Sequence, residues 1–134
     1  MDQFSCLSEK DIALLESAQA IIKARHKKFW HVIGAALRTR SGQVFCAVHI
    51  EAGVGRIAVC AEAIAIGMAA SAGDTDIESI VAVRADGTIA SPCGMCRELI
   101  SDYSSTASVI VPGDTQGIVV PIESLIPNKY MWTP

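Results

Sequence analysis

Two short stretches carry residues whose types and spacing suit chemistry: Cys60-Ala61-Glu62, and Pro92-Cys93-Gly94-Met95-Cys96. Zinc takes about four ligands in a tetrahedron, and a catalytic zinc keeps three from the protein with one position open to water. Cys93 and Cys96 stand three apart at the start of an expected helix, so both sulfurs can face one point. Cys60 also lies near an expected helix start. Backbone N–H groups and the helix dipole there favour thiolate over thiol. Two helix N-termini meeting over one ion would therefore support three negative sulfurs. Glu62 is too close to Cys60 in sequence for both to bind that ion easily from a helix. It can instead reach the open position, take a proton from water and return it to a leaving amine.

Other uses of the same cysteines stay open at this point. A Cys-x-x-Cys alone also suits a redox pair or half of a structural zinc site. A structural site would need a fourth ligand, for which Cys6, Cys46, His26, His31 and His49 are candidates. A redox pair leaves Cys60 and Glu62 without a role, and a purely structural site has no use for the carboxylate. The upstream Cys-x-Glu therefore favours catalytic zinc.

The elements that must position these residues read as follows. Ser8-Glu9-Lys10-Asp11 forms a capping box, and Ile12, Leu15, Gln19 and Ile22 follow at helical spacing, which predicts a helix from about Glu9 to Lys27. Val32 to Thr39 and Val44 to His49 read as a hairpin around Arg40-Ser41-Gly42-Gln43. Glu51 to Ile57 is a glycine-containing loop. Val59 to Ser71 favours helix and Gly73 stops it. Strands are expected at Ile80 to Val83, Val109 to Val111 and Ile118 to Val120. A second short helix is expected from about Cys93 to Asp102, and a helical turn at Pro121 to Ile126. The order predicts an α/β domain, one mixed sheet covered by helices, spanning residues 1–134. The run Ile80-Val81-Ala82-Val83 fits a strand buried on both faces.

With 134 residues the chain fits one domain, and its five cysteines argue against a fully paired disulfide framework. The net charge of -3 supplies no basic field for nucleic acid or an anionic membrane. The segment Met1 to Cys6 lacks a basic region followed by an apolar run. The stretch Ile57 to Ala72 is short for a bilayer and contains Glu62. A reducing cytoplasm is the expected setting, with a small-molecule substrate and neither nucleic acid nor membrane as partner.

At these residues the chain resembles the cytidine deaminase family, and its small homotetrameric branch in particular. The resemblance runs from the first helix to about Leu125. Ser91-Pro92-Cys93-Gly94-Met95-Cys96-Arg97 matches the second zinc motif closely, and Ile33-Gly34-Ala35-Ala36-Leu37 resembles the first family strand. The ending Leu125-Ile126-Pro127-Asn128-Lys129-Tyr130-Met131-Trp132 is similar to that of blasticidin S deaminase within the family. The resemblance implies a three-layer α/β/α fold with a five-stranded mixed sheet, a homotetramer, and active sites built partly at subunit interfaces. It implies Cys60, Cys93 and Cys96 as ligands of one Zn2+ per subunit, and Glu62 as proton shuttle. Arg97 matches an arginine that offsets thiolate charge. Zinc with three thiolates carries -1, and a hydrogen bond from Arg97 to a sulfur would withdraw some of it.

Departures from the family concern the substrate. The family's Asn-x-Glu grips ribose, whereas this chain has His49-Ile50-Glu51. His31 stands where a phenylalanine is expected beside the pyrimidine, and Cys60-Ala61-Glu62-Ala63 lacks the family's arginine. These changes point away from plain cytidine and leave hydrolytic deamination in place, on a modified cytosine, a blasticidin-like antibiotic or another N-heterocyclic amine. A zinc-stabilised binding module is the rival. Glu51 and His49 are the first candidates for substrate contact, against a solvated loop carboxylate and a hydrogen-bonded strand-end histidine. Ala61 and Pro92 supply backbone that could position the reacting amine. Arg56 could take a substrate carboxylate or lie on the surface. Tyr130 and Trp132 could close over an active site, pack on another subunit, or pack on the chain's own sheet. Trp30 reads as a core or interface residue.

Overall fold

A hairpin and two helix–strand connections lay one mixed sheet between layers of helix in the computed structural model, which describes residues 5–134. The reading of the N-terminus rests in part on residues 1–4, which lie outside the described residues. The strands are β1 (Ser5–Cys6), β2 (Ile33–Thr39), β3 (Val44–Val48), β4 (Ile77–Arg84), β5 (Ile89–Ala90), β6 (Ser108–Pro112) and β7 (Gly117–Pro121). The helices are α1 (Glu9–Arg25), α2 (Ala61–Ser71) and α3 (Gly94–Tyr103). Their order in the sheet is β1-β7-β6-β4-β2-β3, with β5 beside β4. Among the described residues only β4 and β6 pair in parallel; the other pairs are antiparallel.

The sequence predicts five of these strands, and β1 and β5 are additional. Each is two residues long, too short for a period-two pattern to register.

The layers follow from strand alternation. On β4, Ile80 faces a core shared with Ala65, Ile66 and Ile100 of α2 and α3, whereas Val81 and Val83 face Leu14, Leu15, Ala18 and Ile22 of α1. Successive side chains point to opposite faces, so a strand covered on both sides needs apolar residues at every position. That is why Ile80-Val81-Ala82-Val83 reads as a run. Gly34 lets α1 settle close: a Cβ there would lie 2.8 Å from the Ala18 carbonyl and 2.8 Å from the Ile22 Cβ.

Helix limits have local causes. Ser8 Oγ accepts from Asp11 N–H while the Asp11 carboxylate accepts from Ser8 N–H, completing the expected capping box. α1 stops at Arg25 rather than Lys27, because His26 turns to an extended ψ of 131° and Lys27 pairs with His31. α2 starts at Ala61 rather than Val59, because Val59 exchanges both backbone hydrogen bonds with Ile50. Gly73, at φ +75°, follows its last turn. Two 3₁₀ turns, Gly55–Ile57 and Ile122–Leu125, occupy the expected loop and the expected helical turn. Among the described residues no helix is long and apolar enough to cross a membrane.

Candidate metal centre and active site

Cys60 is the N-cap of α2 and Cys93 the N-cap of α3; both have extended backbone and neither side chain caps its helix. Cys96 lies in the first turn of α3 and is buried. The two helix starts converge. The sulfurs of Cys60, Cys93 and Cys96 all lie within 4.8 Å of one another, and the Cys60 and Cys93 Sγ atoms are 3.6 Å apart. A tetrahedral zinc with sulfur bonds of about 2.3 Å has a sulfur–sulfur edge of about 3.8 Å. The donor set and its spacing therefore fit zinc, and these three cysteines are the cluster that could hold it.

Electrostatics agree with a cation site. Burial pushes the Cys60 thiol up, as does its closeness to Cys93. Burial, then the Glu62 and Cys60 charges, push Cys96 up further. Cys93 lies below its ordinary value: burial opposes this, but the Cys96 backbone N–H and the neighbouring thiols outweigh it. One thiol of the three ionises more readily while its neighbours resist, and a divalent cation would remove that resistance.

Glu62, on the first turn of α2, is only 5 % exposed. Burial raises its carboxyl above the ordinary range, partly offset by its own backbone N–H and by Cys96. It lines a cavity of about 290 Å³ together with Cys60, Cys93 and His49. Ile33, Ala58, Val59, Ala61, Ala82, Ala90 and Ser91 complete the wall. Of these, only Ala61 was singled out from sequence. Small apolar residues leave room without marking themselves, so their only available signal is adjacency to the cysteine motifs.

The remaining candidates divide. His49 is in the wall; its Nδ1 accepts the Val32 N–H at 2.9 Å, and its Nε2 lies 4.0 Å from Glu51 Oε2. Burial lowers the ring's pKa, against an upward pull from Glu51, and His31 lowers it further. With Nδ1 occupied as an acceptor the ring is neutral, so the approach to Glu51 is not an ion pair. Glu51 lies outside the cavity wall and is exposed, with Oε1 accepting the Ala52 N–H. His31 lies outside the wall and its ring bonds the His49 carbonyl at 2.9 Å. Pro92 packs beneath Glu62 rather than in the cavity wall.

Arg97 differs from expectation. Its Nε donates to the Pro92 carbonyl at 2.9 Å and its Nη1 to the Leu125 carbonyl at 3.2 Å. These oxygens, brought near by the turn before α3 and the 3₁₀ turn after β7, take the guanidinium in place of a sulfur. Arg56 is exposed in the Gly55–Ile57 turn and outside the cavity wall. Tyr130 and Trp132 are 76 % and 73 % exposed, so they do not pack on the chain's own sheet. Past the 3₁₀ turn the chain bends and turns at residues 126–128, with Asn128 at φ 56°, and Lys129 ties it to Asp102 of α3. Trp30 is exposed under the Lys27 ammonium rather than in the core.

Residues 8–112 match the family model for the cytidine and deoxycytidylate deaminase zinc-binding region. The chain belongs to that family, and its cysteine cluster fits a zinc-dependent deaminase. It is 47 % identical over 132 residues to the blasticidin-S deaminase of Bacillus cereus, covering 92 % of this chain and 94 % of the relative. It is 28 % identical to the cytidine deaminase of Halalkalibacterium halodurans, over 73 % of this chain and 76 % of that protein. Among solved structures, the cytidine deaminase of Burkholderia pseudomallei superposes with a TM-score of 0.77 at 26 % identity, covering 92 % and 100 % of the two chains. That of Mycobacterium leprae gives 0.79 at 22 % identity, over 91 % and 100 %, a likeness of fold.

Proposed function

We propose that this zinc-dependent deaminase hydrolyses the exocyclic amine of a substituted cytosine, with blasticidin S as the first substrate to test. The observation that carries this reading is a buried carboxylate, Glu62, sharing a cavity with Cys60 and Cys93, whose sulfurs converge with that of Cys96. The B. cereus relative, aligned over almost the whole chain, supports the substrate. The His49-Ile50-Glu51 departure supports a compound other than plain cytidine.

Cys60, Cys93 and Cys96 would hold the zinc, which when bound supplies a Lewis acid that makes water nucleophilic at neutral pH. The carboxylate of Glu62 accepts the proton that water loses. It delivers that proton to the ring nitrogen, then takes the remaining proton of the added hydroxyl and passes it to the departing amino group. A C–O bond forms at the amino-bearing carbon, the C–N bond breaks, ammonia leaves and a carbonyl remains. Ala61 and the Pro92 carbonyl region position the amine, and Arg97 fixes the Pro92 carbonyl. The apolar wall excludes bulk water. Tyr130 and Trp132 reach a neighbouring subunit or its cavity, and Arg56 meets an anionic part of the substrate.

Residues 1–134 form one such domain in this reading, working in the cytoplasm as a homotetramer. The apolar outer face of α2, with Ile64, Met68 and the nearby Phe45, supports the assembly. The deciding experiment is ammonia release from blasticidin S, cytidine, deoxycytidine and free heterocyclic amines. Glu62→Gln is expected to keep its zinc by elemental analysis and to lose turnover by roughly two to four orders of magnitude. Retained turnover removes Glu62 from the mechanism. No ammonia from any compound moves the chain to the binding-module reading.

A further inference from the structure

A second cleft lies on the face of the sheet turned away from the sulfurs. Val81 and Val83 of β4 face α1, so Ser79, earlier on the same strand, faces that way too, at the start of the helix. Its neighbours across the sheet are Arg38 of β2 and Ser108 of β6. By the same alternation these share the face of Ala36 and Ile110, which pack against α1. A line of polar residues thus crosses three strands beside an apolar core. Ser8, Lys10 and Asp11 at the start of α1, with Glu78 and Val119, close it into a cavity of about 210 Å³.

Ser79 is 1 % exposed and lines this cavity, and among the described residues its Oγ has no hydrogen-bond partner. A buried hydroxyl left unpaired is destabilising, so packing alone would be served better by an apolar residue like those that follow it on β4. Arg38 supplies charge. Its Nε donates to Glu78 Oε2 at 3.0 Å, its Nη1 to the Lys10 carbonyl at 3.0 Å and its Nη2 to Asp11 Oδ1 at 3.4 Å. A guanidinium carries five N–H groups, so two remain uncommitted. The first N–H groups of α1, at Glu9 and Lys10, have no acceptor within the helix, and the helix dipole adds positive potential there.

The two carboxylates in the wall differ. Asp11 is buried and committed on both oxygens, Oδ2 to the Ser8 N–H and Oδ1 to Arg38. The Glu78 side chain is 41 % exposed against 11 % for Arg38, and it holds the guanidinium by one bond. Glu78 is therefore the partner that can be replaced, by turning into water.

We propose that this cleft is an anion-binding site, separate from the metal centre, which takes a phosphate group in place of the Glu78 carboxylate. Arg38, Ser79 and the first-turn amides of α1 are its donors. They converge from two strands and a helix, which suits a group with several acceptor oxygens. The exchange keeps the guanidinium paired and leaves Asp11 its partner. A cation would meet Arg38, and an uncharged guest could not take over the charge that Glu78 balances.

The test titrates the zinc-loaded full chain, at constant ionic strength, with inorganic phosphate and separately with uridine 5′-monophosphate, which has no exocyclic amine to lose. ¹H–¹⁵N NMR is expected to show saturable shifts at the backbone amides of Ser8 to Asp11, with a Kd on the order of 1 mM. Glu78→Ala should tighten phosphate by about fivefold or more, and Ser79→Ala should weaken it by about as much. Ser79→Ala should also melt no lower than wild type, so its weaker binding is not unfolding. Arg38 is left in place because Asp11 depends on it. Equal responses to both compounds would assign the site to phosphate esters as well, and a response to inorganic phosphate alone would assign it to the free ion. Shifts that fail to saturate by about 50 mM, or a Kd that either substitution leaves unchanged, would overturn the proposal.

Discussion

Cys60 and Cys93 are separated by a helix, two strands and a turn, yet their sulfurs lie 3.6 Å apart. Each opens its own helix, so the cluster forms only when α2 and α3 are docked on the same sheet. Metal and fold are therefore coupled.

From that coupling, Cys93→Ala is expected to lose zinc and, with it, stability. Elemental analysis should show well under one zinc per chain, and the thermal midpoint should drop. Wild-type protein stripped with a chelator should approach the same midpoint. A Cys93→Ala protein that keeps full zinc would show that another donor completes the cluster.

Arg97 ties the start of α3 to the chain after β7 through two carbonyls. Removing a charged donor from half-buried acceptors costs about 1.5–3 kcal/mol. Arg97→Gln should lose stability of that order in urea denaturation while retaining zinc. Loss of zinc with unchanged stability would instead place the arginine's role at the sulfurs.

Asp74 pins the β2–β3 hairpin. Its Oδ2 accepts from Ser41 Oγ at 2.6 Å, Thr39 Oγ1 at 2.7 Å and Gln43 Nε2 at 2.8 Å. These bonds, Ser41 first, hold its carboxyl below the ordinary aspartate value. A carboxyl lowered on folding stabilises the native state above its unfolded pKa of about 3.9, and that contribution is lost as pH falls through the folded value. Asp74→Asn should therefore be less stable than wild type at pH 7, and the gap should close in strong acid. A gap that does not change with pH would mean that packing, not charge, sets it.

At Gly34 α1 lies close on β2, and a methyl group there meets the Ala18 carbonyl, backbone that cannot yield cheaply. Gly34→Ala should destabilise by roughly 1–3 kcal/mol, the usual cost of overpacking, read from denaturant midpoints. Gly67→Ala, where nothing lies within 4 Å of the added carbon, is the matched control and should fold normally.

Met68 is 42 % exposed on an apolar helix face beside Ile64 and Phe45. Sedimentation should give about four times the chain mass, and Met68→Glu should lower it. An unchanged wild-type monomer would remove the proposed assembly.

The metal cluster was legible because its chemistry lies in residue types that have few other uses together: Cys60, Glu62, Cys93 and Cys96. The five longer strands and three helices were legible from periodicity and caps, Ser8 with Asp11 above all. The rest depended on contacts between distant segments. β5 exists because Ile89 and Ala90 meet Val83 and Ala82. Arg97 turned to carbonyls because Leu125, 28 residues away, came within reach. For Tyr130 and Trp132 the sequence leaves three places open, and contacts within this chain leave both exposed.

The reaction chamber owes its shape to what is missing from it. Ala58, Ala61, Ala82, Ala90 and Ser91 create space by the smallness of their side chains. Added bulk at these positions would reshape the mould while leaving the identities of the sulfurs and Glu62 unchanged. Substitution at these alcoves can thus alter the outline of the guest while the sulfurs and the carboxylate stay constant.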